Sequence, residues 1–232
     1  MEPKLRISEI FTSIQGEGIW TGIPSTFVRV SGCNLRCAWC DTPYASWNPE
    51  GPTIGICEIA EQVELAGVNH VVLTGGEPML FDAIEPLARL LKESGHTITV
   101  ETAGTIFREL PCDLMSISPK LGNSTPPDST GWSERHERTR LQISSLTSLV
   151  TRYNCQLKFV IADDVDSDLA EIDALLAQLP RVPPDRILAM AEGVTVEVQR
   201  ERQRGLVDLC ISRGWRLTPR LHIELFGNKR GT

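Results

Sequence analysis

The stretch Ser-Gly-Cys-Asn-Leu-Arg-Cys-Ala-Trp-Cys-Asp, residues 31–41, contains three closely spaced cysteines. Cys33, Cys37 and Cys40 have Cys-x3-Cys-x2-Cys spacing. Thiolates this close in one loop converge on a common point, and such soft ligands select zinc, copper(I) or iron–sulfur clusters. A structural zinc site closes with four ligands, and no fourth Cys or His stands nearby in the sequence. The spacing therefore favours a 4Fe–4S cluster that is held by three thiolates and leaves one iron free to bind another ligand.

Two other interpretations of this cysteine loop stay open on spacing alone. The thiols could belong to a zinc site completed from a distant part of the chain, or they could be three unconnected buried side chains. The remaining cysteines are scattered among mostly apolar residues, and we expect them to be small core side chains: Cys57, Cys112, Cys155 and Cys210. An odd total of seven cysteines does not fit a disulfide framework and indicates a reducing compartment.

The composition excludes several classes of function. The chain has 232 residues and a net charge of -7, and an acidic protein is a poor partner for the phosphates of a nucleic acid. Hydrophobic residues make up 41% and charged residues 23%, which suits a globular protein. No run of 18 apolar residues and no signal-peptide pattern occurs. We therefore expect a cytoplasmic protein with no membrane or nucleic-acid partner.

Extended and helical patterns alternate along the chain. An extended run over residues 5–14 precedes six predicted strands, which begin near Ser25, His70, Thr97, Leu114, Gln156 and Arg186. Apolar residues three or four apart predict helices over residues 53–66, 82–94, 143–153, 167–179 and 194–213. Residues 121–138 lack an apolar period and are predicted to be a long loop, and residues 215–225 to be an extended tail. We see no internal repeat and no linker, so residues 1–232 are predicted to form a single domain.

Strand–helix alternation predicts a parallel sheet with helical crossovers. Six strands are too few for a closed eight-stranded barrel, so the fold class is predicted as α/β, an open, partial six-stranded parallel βα barrel. Functional sites in such folds lie at the carboxyl ends of the strands. The polar segments that follow the predicted strands are the cysteine loop, Gly75–Pro78, Glu101, Ser118–Lys120 and Glu192. We expect one pocket to gather them.

Two of these segments, in this order, resemble the radical S-adenosylmethionine (SAM) superfamily. They are Cys33–Cys40 after the first barrel strand and Gly75–Pro78 after the second. The resemblance implies a barrel with trimmed helices, in which the free iron chelates SAM and an electron from the cluster generates a 5′-deoxyadenosyl radical. Gly75 and Gly76 would let the backbone approach SAM, and Glu77 would take its ammonium group. Without the cysteine loop, the same residues would be an ordinary turn with Pro78 at a helix start.

A narrower resemblance covers nearly the whole chain. Ile14–Gly18, Cys40–Thr42, Ser118–Lys120 and Phe226–Gly231 are similar to segments of the 7-carboxy-7-deazaguanine synthase family. The resemblance implies a lyase that converts 6-carboxy-5,6,7,8-tetrahydropterin to 7-carboxy-7-deazaguanine with loss of ammonia, in queuosine and 7-deazapurine biosynthesis. It also implies a 4Fe–4S cluster, SAM and Mg²⁺ as cofactors, an external flavodoxin-like electron donor and a homodimer.

The same resemblance assigns binding roles to individual residues, and none is assigned as catalytic. The cluster ligands are Cys33, Cys37 and Cys40. The residues that contact SAM are Trp39, Cys40, Asp41, Gly76, Glu77, Ser118, Pro119 and Lys120. The substrate contacts are Ile14, Gln15, Gly16, Arg29, Thr74 and the C-terminal Thr232, and the magnesium ligand is Thr42. Residues 1–24 would form a substrate-binding segment, and residues 215–232 a tail that closes the site.

The residue types suit these roles, although each has a simpler explanation. The Gln15 amide can read the donor–acceptor edge of a pterin, or it can cap a turn. The Arg29 fork suits a substrate carboxylate, or a structural ion pair. The Thr42 hydroxyl is a weak ligand, but Mg²⁺ retains waters and takes other oxygens from its substrate; otherwise Thr42 is a turn residue. Lys120 could equally be a solvated lysine.

One position departs from the family pattern, and two other functions compete with the one that the resemblance implies. Ala191 precedes Glu192, where the family commonly has proline, so the contacts of Glu192 are left unassigned. A glycyl-radical activase would share the cysteine loop but act on a protein partner. The Gln15–Gly18 segment and the Gly227–Arg230 tail argue against this alternative. A zinc-stabilised binding module without catalysis is the second competitor, and metal analysis separates it from an iron–sulfur enzyme.

Overall fold

A single sheet carries the site, in a computed structural model that describes residues 2–232. Nine strands are present within these residues. They are β1 (Lys4–Ile14), β2 (Pro24–Val30), β3 (Thr53–Gly55), β4 (His70–Gly75), β5 (Thr97–Thr102), β6 (Leu114–Ile117), β7 (Cys155–Ile161), β8 (Ile187–Ala191) and β9 (Arg216–Leu217). Their spatial order is β3-β1-β2-β4-β5-β6-β7-β8-β9.

The six strands β2, β4, β5, β6, β7 and β8 pair in parallel as neighbours, and they correspond to the six predicted strands. β1 adds an antiparallel strand beside β2, and β3 adds another beside β1. β9 extends the opposite edge in parallel to β8. Because β3 and β9 are the two ends of the sheet, the barrel is open. This confirms the predicted partial α/β barrel and its six-stranded core.

Seven α-helices pack around the sheet within the described residues. They are α1 (Ile56–Ala66), α2 (Ile84–Glu93), α3 (Ser133–Arg140), α4 (Ile143–Arg152), α5 (Val165–Leu176), α6 (Val196–Arg213) and α7 (Leu221–Phe226). A typical helix buries one apolar stripe: α1 buries Ile56, Ile59, Ala60 and Val63. Parallel strands are covered on both faces and so read as continuous apolar runs, as β4 does. None of the helices described here has the length and apolar character required to cross a membrane.

The prediction of a loop over residues 121–138 was wrong, because α3 lies within and just beyond it. α3 has the sequence Ser-Glu-Arg-His-Glu-Arg-Thr-Arg, which has no apolar stripe for periodicity to detect. His136 anchors it instead, because its fully buried ring contacts Ser124 Oγ at 2.9 Å. The backbone N–H of Arg36 donates to His136 Nδ1 at 3.2 Å. The helix is therefore held to the cysteine loop by a polar contact.

Two other predicted boundaries were wrong. Thr53–Gly55 is a short strand and not the first turn of a helix, because it pairs with Lys4–Arg6 of β1. The tail predicted to be extended contains α7, which is too short to display a helical period. α7 turns the chain back toward the strand ends. The remaining predicted strands and helices agree with the structure within a few residues.

Candidate active site

A cavity of about 770 Å³ opens at the carboxyl ends of the parallel strands. Every residue predicted to bind the cluster, SAM, substrate or magnesium lines this cavity, with the exceptions of Glu77 and Pro119. Glu101 and Glu192, which were noted only as polar residues after strands, line it too. The strand ends thus bring into one pocket residues that lie far apart in the sequence.

Two glycines hold the cysteine loop against the end of β4. The N–H of Gly76 donates to the carbonyl of Val30 at 3.1 Å, and the N–H of Glu77 donates to the carbonyl of Gly32 at 2.9 Å. A Cβ at Gly75 would collide with the Val30 backbone, and one at Gly76 would collide with the Gly32 carbonyl. Gly75 also has a φ of 128°, which disfavours residues with a Cβ. The glycines therefore serve backbone packing between these two segments.

The three cysteines of the loop are free thiols on one side of the cavity. Burial raises the pKa of Cys33 to about 12 and that of Cys37 to about 11, so both are protonated without a metal. The Leu35 N–H donates to Cys33 Sγ at 3.3 Å, and Ser46 Oγ lies 3.0 Å from Cys40 Sγ. Hydrogen bonds to sulfur tune iron–sulfur clusters. The donor set therefore fits a cluster.

No three His, Cys, Asp or Glu side chains among residues 2–232 are grouped so that they could hold one metal ion. A 4Fe–4S cluster does not need such a group, because its thiolates ligate different irons of a larger body. Leu35 and Ala103 pack with Cys37, and Cys33, Trp39 and Cys40 pack against them. This apolar surrounding suits an iron–sulfur group, since solvent exposure is one of the factors that set its potential.

Glu77 is held by hydrogen bonds from within the protein. Its carboxylate is fully buried and accepts hydrogen bonds from Met79 N at 3.0 Å, Thr102 Oγ1 at 2.8 Å and Ala103 N at 2.8 Å. Burial raises the pKa of Glu77, although these donors oppose the shift. The carboxylate is occupied inside the protein, where it ties the end of β4 to the end of β5. The contact with the ammonium group of SAM that the resemblance implies for Glu77 stays a prediction.

The opposite side of the cavity is built around Glu101. Gln15 Nε2 donates to one Glu101 oxygen at 3.2 Å, and Thr74 Oγ1 donates to the other at 2.7 Å. The side-chain Oε1 of Gln15 accepts from the Glu17 N–H at 3.0 Å. The Gln15 amide therefore does cap a turn, and it lines the cavity as well. Both of its proposed roles are compatible with one conformation.

Arg29 likewise combines an ion pair with a place in the cavity. Its Nε donates to Glu9 Oε1 at 2.6 Å, and the Tyr44 hydroxyl donates to the same oxygen at 2.9 Å. Burial alone would lower the pKa of Arg29, but Tyr44 and Glu9 outweigh it and raise the pKa. Within residues 2–232 the guanidinium donates a hydrogen bond through Nε only. Its two Nη groups remain for a ligand.

A buried network of charges was missed by the sequence prediction. Glu17 forms ion pairs with Lys158 and, at 3.0 Å, with Arg220, and Arg220 also pairs with Asp41. Burial alone would raise the pKa of Glu17, but Lys158 and Arg220 hold it well below its usual range. The signal was present in β7, because Lys158 is the only charged residue in a strand whose interior is buried. An inward-facing charge in such a strand requires a partner.

The C-terminal tail reaches the cavity through Arg230. Its Nε lies 3.3 Å from Glu9 Oε2, its Nη2 donates to the Ser8 carbonyl at 3.1 Å, and its guanidinium lies 4.2 Å from the centre of the Tyr44 ring. Thr232 lines the cavity. Glu9 therefore contacts both the tail and Arg29.

Known proteins resemble this chain in sequence and in structure. The model of the radical SAM superfamily matches residues 27–140. A 7-carboxy-7-deazaguanine synthase from Rhodopirellula baltica is 44% identical over 100% of this chain and 90% of its own length. A 7-carboxy-7-deazaguanine synthase from Halobacterium salinarum is 42% identical over 97% of this chain and 92% of its own length. This chain belongs to the 7-carboxy-7-deazaguanine synthase family. The crystal structure of QueE from Escherichia coli has a TM-score of 0.72 and 26% identity, with 93% of each chain covered.

Membership of the 7-carboxy-7-deazaguanine synthase family confirms the resemblance on which the sequence interpretation depended. It makes this chain a radical SAM enzyme, with a 4Fe–4S cluster and SAM as its cofactors. The superfamily match ends at residue 140, whereas the match to the synthases continues over the full chain. The segments near both termini thus belong to the narrower family.

Proposed function

We propose that this protein converts 6-carboxy-5,6,7,8-tetrahydropterin to 7-carboxy-7-deazaguanine with loss of ammonia, in the biosynthesis of queuosine and other 7-deazapurines. The observation that carries the proposal is one cavity whose lining includes both the cysteine loop and Gln15, Gly16, Arg29 and Thr74. The names of the full-length relatives point to the same reaction.

Cys33, Cys37 and Cys40 would hold the 4Fe–4S cluster. When bound, the cluster and SAM supply a 5′-deoxyadenosyl radical. The residues proposed to hold SAM are Trp39, Cys40, Asp41, Gly76, Glu77, Ser118, Pro119 and Lys120. Lys120 supports this group, because its Nζ lies 5.4 Å from the centre of the Trp39 ring and donates to Ser118 Oγ at 2.8 Å. A lysine held over an indole ring at the cavity wall is available to an anionic or polar ligand.

The substrate would be held by Ile14, Gln15, Gly16, Arg29, Thr74 and Thr232. The free Nη groups of Arg29 suit the substrate carboxylate, since a guanidinium fork matches the two carboxylate oxygens. Gln15 and Thr74 are fixed by Glu101, which gives them a defined orientation toward the pterin ring. Such fixed contacts supply positioning and exclude water, the two contributions that the protein itself makes to a radical rearrangement.

Thr42 is proposed as a magnesium ligand. It lines the cavity, and its Oγ1 lies 3.8 Å from Cys40 Sγ. A single hydroxyl is enough protein ligation for Mg²⁺ when water and a substrate carboxylate provide the other oxygens. Held by Thr42, the ion would supply positive charge that orients the substrate carboxylate.

Several broader features complete the proposal. The chain would act as a single domain, in which residues 1–24 form the substrate segment and the tail over residues 215–232 closes the site. The family resemblance suggests a homodimer and an external flavodoxin-like electron donor. A cytoplasmic location fits the reducing compartment expected for seven unpaired cysteines.

The decisive test is anaerobic turnover with SAM, dithionite, Mg²⁺ and 6-carboxy-5,6,7,8-tetrahydropterin. We expect 7-carboxy-7-deazaguanine, detected by mass spectrometry, with iron and sulfide at about four each per chain. SAM cleavage without this product, on an intact cluster, would contradict the substrate assignment while leaving the radical SAM chemistry in place. A colourless, zinc-containing protein would instead indicate the binding module.

A further inference from the structure

Arg220 connects two walls of the cavity that are remote in sequence. Its Nε donates to Glu17 Oε1 at 3.0 Å, and Glu17 belongs to the segment proposed to bind the substrate. Its Nη2 donates to the carboxylate of Asp41, the residue that directly follows the cluster ligand Cys40. Its Nη1 donates to the carbonyl of Gly193 beyond the end of β8 at 2.8 Å. The side chain of Arg220 is 7% exposed, so this fork is almost fully removed from water.

The chain around Arg220 is itself fastened to the substrate segment. The Gly18 N–H donates to Thr218 Oγ1 at 2.7 Å, and the Leu221 N–H donates to the Gly16 carbonyl at 2.9 Å. The His222 ring packs on Gly16 so closely that a Cβ at position 16 would collide with it. Residues 16–18 therefore cannot move independently of residues 218–222.

The charges explain why an arginine is needed here. The carboxylate of Glu17 is buried and that of Asp41 is partly exposed, with side chains 14% and 38% exposed. The negative charge of Glu17 raises the cost of ionising Asp41, and a cation between the two carboxylates offsets their repulsion. An arginine presents donors in a fixed planar fork and can bond two partners at once, whereas the lysine ammonium is a point charge on a flexible stem. Lys158 pairs with Glu17 from the other side and does not pair with Asp41. Arg220 is the residue that joins the two carboxylates.

We propose that Arg220 is a positioning residue that couples the substrate segment to the cluster loop, so that the substrate and SAM are held in one fixed relation. The expected effect on turnover rests on the proposed function. The coupling of the two segments through Arg220 does not depend on any ligand. Arg220→Lys keeps the positive charge and removes the fork. We expect the yield of 7-carboxy-7-deazaguanine per 5′-deoxyadenosine to fall, with a loss of about 100-fold in kcat/KM, as misplacement by about 1 Å produces.

Hydrogen exchange on the cluster-free protein provides a readout that needs no turnover. In Arg220→Lys we expect faster amide exchange in both residues 15–18 and residues 40–42, relative to wild type. Glu17→Gln should affect mainly the first segment, and Asp41→Asn mainly the second. Arg213→Lys is the matched control, because Arg213 also binds a carboxylate, Asp173, but at the surface. It should change neither exchange nor turnover.

Faster exchange in only one of the two segments, in neither, or uniformly over the whole chain would overturn the proposal. Should the Arg220→Lys chain not fold, the Glu17→Gln/Asp41→Asn double variant decides. Coupling through Arg220 makes the effects of the two substitutions on kcat/KM non-additive, and additive effects overturn it. A wild-type protein that makes no deazapurine would defeat the proposed function, whereas the exchange result would still decide the role of Arg220.

Discussion

The two walls of the cavity are built in different ways. The cluster wall, formed by residues 32–42 and 75–77, is held mainly by backbone hydrogen bonds between one loop and the end of the neighbouring strand. The substrate wall, formed by residues 9–17 and 218–232 with Arg29 and Lys158, is held by side-chain ion pairs in addition to the hydrogen bonds between residues 16–18 and 218–221. One of these joins residues 203 positions apart in the chain. Local geometry thus builds the first wall, and buried charge pairing builds the second.

This difference between the two walls coincides with the extent of the match to the radical SAM superfamily. The radical SAM model matches residues 27–140, which contain the whole cluster wall. Most of the substrate wall lies outside that range but within the match to the full-length synthases. A cofactor wall made of local backbone contacts can be kept while the substrate wall is rebuilt around it, because few side-chain contacts cross between them. The ion pair between Arg220 and Asp41 is one of the side-chain contacts between the two walls.

The largest expected effect is on the cluster wall. Cys37→Ala removes one of three ligands, and we expect cluster iron to be lost and 5′-deoxyadenosine formation to fall to background, because three thiolates are the minimum for this open cluster. Iron content and SAM cleavage under anaerobic conditions measure the change. Cys57→Ala, at an exposed free cysteine, is the control and should behave as wild type. Retained SAM cleavage in Cys37→Ala would show that the ligand assignment is wrong.

A smaller loss is expected on the substrate wall at Arg29. Arg29→Lys keeps the charge but loses the fork, and a hydrogen bond to a charged group contributes about 1.5–3 kcal/mol. We therefore expect the KM for the carboxypterin to rise about 10- to 100-fold, with the cluster content unchanged. Arg89→Lys, on the exposed face of α2, serves as the control. An unchanged KM would remove Arg29 from the substrate site and leave it as the structural partner of Glu9.

The buried charge pairing of the substrate wall predicts a dependence on pH. Because Lys158 and Arg220 overcome the effect of burial, the pKa of Glu17 in the folded protein lies below its ordinary value of 4.5. The unfolded chain therefore takes up a proton on Glu17 at a higher pH than the folded chain does. The stability that ionised Glu17 contributes is complete above about pH 4.5 and is lost as the pH falls toward the lowered pKa.

In Glu17→Gln, the free energy of unfolding should accordingly fall less steeply as the pH is lowered. At pH 7 it should be lower than in wild type by about 3 kcal/mol, the cost of breaking a buried ion pair. Denaturant titrations of the cluster-free protein between pH 3 and 7 measure both effects. The slope should shrink without vanishing, since Asp41 and Asp113 also have lowered pKa values. Glu85→Gln, in a surface pair with Arg89, should leave the slope unchanged. An identical slope in Glu17→Gln would contradict the buried pairing.

The smallest effect is expected at the tail. Arg230 is 46% exposed at its side chain, and ion pairs in contact with solvent contribute about 1 kcal/mol or less. Arg230→Ala should therefore raise the substrate KM by about 5-fold at most and leave SAM cleavage unchanged. The effect should weaken as the salt concentration rises. A loss as large as that of Arg29→Lys would show that the tail closes the site more firmly than these contacts indicate.

The sequence by itself determined the cofactor chemistry and the order of the main elements. The cysteine spacing identified the cluster loop, and β-branched runs separated by apolar helical stripes identified the six parallel strands, because both signals depend on neighbouring residues. Similarity to the family's motifs then assigned binding roles to residues near both termini. Periodicity failed at α3, where a buried His136 replaces the apolar stripe, and at α7, which has only six residues.

Only the tertiary structure decided how the charged residues are used. It placed the Glu77 carboxylate in hydrogen bonds that tie together two strand ends. It also brought Glu17, Lys158, Arg220 and Asp41 into one network of ion pairs, in which the first three side chains are buried. The physical reason is that the sequence does not indicate which residue a charged side chain pairs with. Its partner is selected by folding, since burial is tolerable only for charges that find each other.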